Sequence, residues 1–320
     1  MSEPAMIIEA SDSVEAVLRE DLVRSDAVLA TIAPVLRHLV ASDDHSVFAE
    51  EVIARVRGIV GDLARQLLGQ LDGLDEEGRR NLAADRVDRL CAILAGSPAL
   101  LGHVHALALE WQLGDRLQGR LAIDPVLSPM LQALIASPDE TTAALAMKVL
   151  AAQSRYVQAL RRMSHPLGEL PGDLLHNCLL ALAALAEEEG SGDRAAAAEA
   201  AIRKAYDEAA TRIGLIARLV TGMGGGAVAA LSVSHAGPAI FLTAMALASG
   251  QDRDRAVIAT NESQLARLAL ALRAAGLKPL AVEEQFLALH PEVSLPEGFE
   301  RLGADRAAAL LAVSGGLSGY

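Results

Sequence analysis

Gly222, Gly224, Gly225, Gly226 and Ala227 satisfy the spacing G-x-G-x-x-A. Between a strand and a helix, that spacing lets a backbone approach a dinucleotide pyrophosphate at the helix N-terminus. Here Arg212 to Thr221 reads as helix, and the first acid after the glycines is Asp252, too distant to hold a ribose. The stretch is therefore expected to be a hinge between apolar helices. Its free N–H groups make Gly222, Gly224, Gly225, Gly226 and the nearby His235 the candidates for an anion or small ligand. No catalytic residue, cofactor or metal is assigned.

His103 and His105 stand two apart on one expected helix, so their side chains diverge and cannot chelate together; neither Cys91 nor Cys178 is near enough to complete a metal set. His38, followed by Asp43, Asp44 and His45, is the one position resembling a phosphoacceptor on a helical bundle, but the flanking residues of a kinase acceptor helix are missing. His165, His176 and His290 stand at expected turns or helix starts and read as capping or surface groups. Acid clusters such as Glu50-Glu51 and Asp75-Glu76-Glu77 fit helix N-termini.

The elements that position these residues are helices. The 320-residue chain is 52% hydrophobic but only 2% aromatic, and Ala and Leu dominate, which favours helix over strand. The expected fold class is all-α, a bundle or array of helices. A helix is expected over Ser13–Val40 with a break near Leu22–Ser25. The next starts from Asp43 or Asp44 and carries Val52, Val56, Ile59, Val60, Leu63, Leu67 and Leu71 on its apolar side, with Arg55, Arg57, Asp62 and Arg65 on the others. A third spans Glu76 to Leu94.

Ser97-Pro98 and Ser137-Pro138 then open two long helices as cap and first-turn proline, and each helix leads to a connector with two prolines: Pro125 and Pro129, then Pro166 and Pro171. The period of about 40 residues is that of HEAT-like helical hairpins, and two copies leave repeat and chance both open. Glu187 to Arg194 reads as a linker, dividing an N-terminal helical array (1–189) from a C-terminal helical domain (193–320). Further helices are expected over Arg194–Ile213, Asn261–Ala275 (closed by Gly276) and Val282–His290, before a frayed Ser314–Tyr320 tail.

Leu219 to Gln251 contains no Asp, Glu, Lys or Arg. Glycines and Pro238 cut it into pieces shorter than the roughly 20 apolar residues of a membrane helix, so it is expected to pack inside the protein. A net charge of −13 opposes nucleic acid and anionic membranes. The first 20 residues lack an apolar leader core, and the two cysteines read as buried thiols, so a cytoplasmic location is expected.

Phe241, Ala244, Ala246, Gly250, Arg255 and Val257, followed by Leu265, Leu268, Leu272 and the run Arg273-Ala274-Ala275-Gly276-Leu277, form a pattern. It resembles the C-terminal part of an uncharacterised bacterial all-helical family, a domain of unknown function with an F-x-x-A-L-A-x-L-x-G helix and an R-A-A-G-L helix end. The resemblance covers about residues 200–290; the N-terminal half lacks the Arg-rich repeat pattern of that family. It implies a repeat-like helical fold in a bacterial cytoplasm and transfers no catalytic residue.

Three functions are in view. The first is a non-enzymatic interaction, scaffold or regulatory protein that binds a protein partner or itself through a groove between helices. The second is a small-molecule sensor with an apolar pocket near Gly222–Gly226. The third is peripheral membrane association through Leu219–Ala248.

Overall fold

Residues 3–41 and 50–315 are described by a computed structural model of the chain, with side chains from Val14 to Leu39 and from Glu50 to Ser314. Every regular element among them is helical: α1 (Glu3–Ala41), α2 (Glu50–Asp72), α3 (Glu76–Arg80), α4 (Ala84–Leu94), α5 (Pro98–Leu121), α6 (Pro129–Ile135), α7 (Glu140–Arg161), α8 (Gly172–Glu188), α9 (Gly192–Ala205), α10 (Arg212–Gly222), α11 (Val233–Ser249), α12 (Arg253–Ile258), α13 (Leu265–Ala274), α14 (Pro279–Leu289) and α15 (Ala304–Gly315). The protein is all-α. Asp43, Asp44, His45 and the 316–320 tail lie outside the described residues.

The helices form two compact units, each built from separated stretches of chain. One comprises Met1–Thr31, Gln112–Met147 and Ile216–Tyr320; the other comprises Ile32–Trp111 and Lys148–Leu215. The expected boundary at 189–193 falls inside the second unit. There Glu188 ends α8 and Gly192 begins α9, so the acidic linker is a turn between two helices that pack on each other.

In the second unit α2 is the hub, touching α3, α4, α8 and α9. Val56, Ile59, Val60, Leu63, Leu67 and Leu68 are essentially inaccessible. Each such side chain contributes about 1.5–3 kcal/mol by leaving water. In the first unit α11 is the hub. Its Pro238–Ala246 stretch is buried and meets α6, α12, α13 and α14. Gly237, at φ 72° and ψ 164°, kinks the helix where Ser128 presses against it, and only glycine accepts that backbone without strain.

Several local expectations need correction. Helix α1 runs unbroken past Leu22 and Ser25, because both are buried and Arg24 between them lies on the solvent face. The third expected helix splits: Asn81 caps α3 by donating its N–H to the Gly78 carbonyl, and α4 starts afresh. Arg194–Ile213 also splits, since Tyr206 leaves the helix to donate its hydroxyl to the Leu170 carbonyl at 2.9 Å and Asp207 caps a short 3-10 turn. At the second Ser-Pro, Asp139 rather than Ser137 caps α7, accepting from the Thr142 N–H at 2.8 Å. Ser97 does cap α5, through the Leu100 N–H at 3.3 Å.

The charge-free segment is core only in part. Val233 and Ala236–Ala246 are buried, but most of Thr221–Ala229 and His235 are exposed. Apart from Val228, the exposed residues of the 3-10 turn (Gly224–Leu231) are glycine and alanine, which present little apolar surface, so water contact costs them little.

Candidate functional site

Among the described residues, a buried polar cluster in one unit and a groove in the other each border a cavity, and neither includes the glycine stretch.

The first is a buried polar cluster in the second unit. Arg212, at the start of α10, donates two parallel hydrogen bonds to Glu110 of α5, at 2.7 and 2.9 Å, and a third to Gln153 Oε1 of α7 at 3.1 Å. Its guanidinium lies 3.7 Å over the ring of Tyr156, whose hydroxyl donates to the Leu107 carbonyl at 3.1 Å. The Arg212 N–H donates to Glu169 Oε2 at 2.7 Å, tying the helix start to the turn ahead of α8. Burial works against the Arg212 charge, but Glu110 outweighs it and holds the guanidinium protonated above its ordinary range. An ion pair this dry needs such two-point geometry and added partners to survive desolvation.

His165 stands beside this cluster. Its backbone is clamped by α2: Asp62 accepts the His165 N–H at 3.0 Å, and Gln66 donates to the His165 carbonyl at 2.8 Å and accepts from the Leu167 N–H at 3.1 Å. Met163, at φ 53°, turns the chain toward that clamp. Partial burial raises the Asp62 carboxyl against the pull of the His165 amide and Gln66. The His165 side chain points inward at 4% exposure, its ring meeting that of His103 edge-on with centroids 6.2 Å apart. Burial, with the charges of His103 and Arg212 beyond it, pushes His165 down to about 3, so the ring is neutral. Neither ring nitrogen has a hydrogen-bond partner among the described residues. The Glu169 backbone favours the protonated ring weakly but falls short of hydrogen-bond geometry.

His165, just past a turn, and His290, at the end of α14, stand at such positions, but the surface role expected for them is corrected. Both are buried, and His290 Nε2 lies 3.0 Å from the Thr260 carbonyl. His176 is exposed as expected and meets Arg203 at 2.7 Å. His38 is exposed near the end of α1. His105 is pushed down to about 4 by burial. Cys178 is buried and its thiol pushed up to about 12, whereas Cys91 is only half-buried. Arg55, expected on a polar side of α2, is buried instead, its guanidinium 3.2 Å over Trp111.

The second place is a groove in the first unit, between α1 and α15. Leu22 and Leu310 form its floor, Val23 and Val313 its edges, and Arg19 and Arg306 its rim, around a cavity of about 140 Å3. Val23 is 61% and Val313 72% exposed. At one end Arg267 holds Asp26, which also accepts from the Ser314 hydroxyl at 3.1 Å. Sequence reading missed both places, because their members, such as Asp26 and Ser314 at 288 positions apart, are distant in the chain.

The glycine candidates Gly222, Gly224 and Gly225 lie on the surface with open space where a side chain would stand. His235 is exposed nearby. No group of three or more metal-ligating side chains occurs among the described residues. No single helix there is long and apolar enough to cross a membrane; α10 and the following 3-10 turn pass only as a pair bent by 118°. No family profile, characterised protein or solved structure matches this chain.

Proposed function

We propose that this chain is a non-enzymatic interaction protein of the cytoplasm that self-associates, the α1–α15 groove of one copy receiving α14 of another. The observation that carries this reading is the groove itself, with two exposed valines on facing edges and a leucine floor. Grooves of this kind between two helices receive the apolar ridge of a third.

The same unit carries a ridge to match. On α14, Leu280 is 69% and Leu287 68% exposed, two turns apart on one side of the helix, with Glu283 and Glu284 exposed between them. Arg19 at the groove rim, for which no ion pair occurs among the described residues, supplies the opposite charge, while Arg306 beside it is paired with Glu15 at 2.7 Å. An apolar cavity of about 150 Å3 holds a benzene-sized group, so one leucine side chain suits this one. Ridge and groove are different surfaces, so the contact is head-to-tail and builds rings or chains.

Light scattering on the eluting protein tests the reading. Wild type assembles with rising concentration. Val23→Asp/Val313→Asp and Leu280→Asp/Leu287→Asp are each monomeric with unchanged helical circular dichroism. Mixed together, these two variants pair one to one, since one keeps its ridge and the other its groove. A wild type that stays monomeric at high concentration, or folded variants that fail to pair, overturns it.

A further inference from the structure

A buried neutral imidazole with neither nitrogen satisfied is costly, since each unmet group forfeits its hydration without return. His165 is such a ring. It lines a cavity of about 50 Å3 in the second unit, together with Leu107, Tyr156, Pro166, Glu169 and Arg212. Arg155, which is exposed, also borders it. One water needs about 10–15 Å3 on this measure and benzene about 150 Å3, so the space suits a molecule of a few heavy atoms.

We propose that this cavity is a binding site for a small neutral amide or alcohol, with His165 as its recognition group. The neutral ring offers one N–H donor and one lone-pair acceptor, which an amide or hydroxyl answers in kind. A carboxylate would gain one donor from the ring and lie beside the Glu169 side chain, while an ammonium would lie beside the Arg212 guanidinium. The Arg212 charge is already taken by Glu110 in the bidentate pair. Leu107, Pro166 and the Tyr156 ring supply an apolar wall for a short alkyl body.

The recognition group is held rigidly. Asp62 and Gln66, one turn apart on α2, pin the backbone on both sides of the ring. Gly58, one turn earlier, admits the Met163 turn that aims it: a Cβ on Gly58 would stand 2.5 Å from the Met163 Cβ. A site kept this still by its surroundings loses little freedom on binding.

The probe is acetamide, with acetate and methylammonium as charged counterparts of similar size. Full-length protein labelled with 15N-histidine is titrated and the ring nitrogen resonances are followed. The His165 pair is identified by its loss in His165→Phe. Acetamide shifts that pair saturably with a Kd of about 1 mM, as a four-atom ligand permits. Acetate and methylammonium bind at least tenfold more weakly. In His165→Phe, folded by circular dichroism, no saturable acetamide binding remains by equilibrium dialysis. Absence of a saturable shift in wild type, or equal shifts from acetamide and acetate, overturns the assignment and leaves the cavity to solvent. Assembly is read separately by light scattering, so neither result depends on the groove.

Discussion

Arg212 and Glu110, separated by 102 positions in the chain, form a two-point ion pair sealed from water, with contacts of 2.7 and 2.9 Å. Removing one partner strands the other charge in the interior. Arg212→Met and Glu110→Leu are each expected to cost about 3–5 kcal/mol in urea unfolding. The double variant is expected to lose at least about 1 kcal/mol less than the sum, because no charge is left alone. Strict additivity would mean that the pair is not coupled.

Gly58 and Gly61 sit on the same helix and predict opposite signs. Alanine at 58 collides with the Met163 side chain and backbone, so about 1–3 kcal/mol is lost. Alanine at 61 meets only the far end of Arg65 at 3.3 Å and gains about 0.5–1 kcal/mol from reduced backbone freedom in the unfolded chain. Thermal and urea unfolding of the two variants check the contrast.

Gly237→Ala combines two penalties: a positive φ of 72° and a new contact of 2.9 Å with the Ser128 Cβ. Together they are expected to cost about 2–4 kcal/mol. A further Ser128→Gly change removes the clash but not the strain, so it restores only part of the loss.

Acid weakens the fold through its buried histidines. His165 titrates near 3 when folded and near 6.5 when unfolded, and His105 near 4 against the same 6.5. Between those values the unfolded chain binds more protons, so stability is present above about pH 6.5 and falls as pH drops. At pH 5 each histidine accounts for a loss of about 2 kcal/mol. His290, lowered by burial in the same direction, adds to this slope, so His165→Phe is expected to flatten it between pH 6.5 and 5 by less than half. Asp62, raised by burial, acts with the opposite sign: it favours folding as pH falls through its folded value toward 3.8. Unfolding curves from pH 7.5 to 5 read the difference; a variant with the wild-type slope would count against a neutral, buried His165.

Helical class, the capping of α5 by Ser97 and the closing of α13 by Gly276 (φ 95°) follow from the chain read as text. They depend on residues within a turn of one another, so spacing carries them. The apolar stripe of α2 is legible for the same reason. Its polar positions are not: Arg55 and Asp62 read as solvent residues, yet one lies under Trp111 and the other clamps the His165 backbone. Whether a charge can be buried depends on partners that the local sequence does not contain.

Composition and spacing therefore determined the kind of element, the caps at Ser97 and Gly276 and the apolar face of α2. Tertiary structure alone decided that Glu110, Gln153, Tyr156, His165 and Arg212 share one interior. It also placed Leu22 and Val23 across a groove from Leu310 and Val313, and left the glycine stretch on the surface. The physical reason is range: helical hydrogen bonds and caps act over about four residues, whereas burial and charge pairing depend on which distant side chains packing brings within a few ångströms.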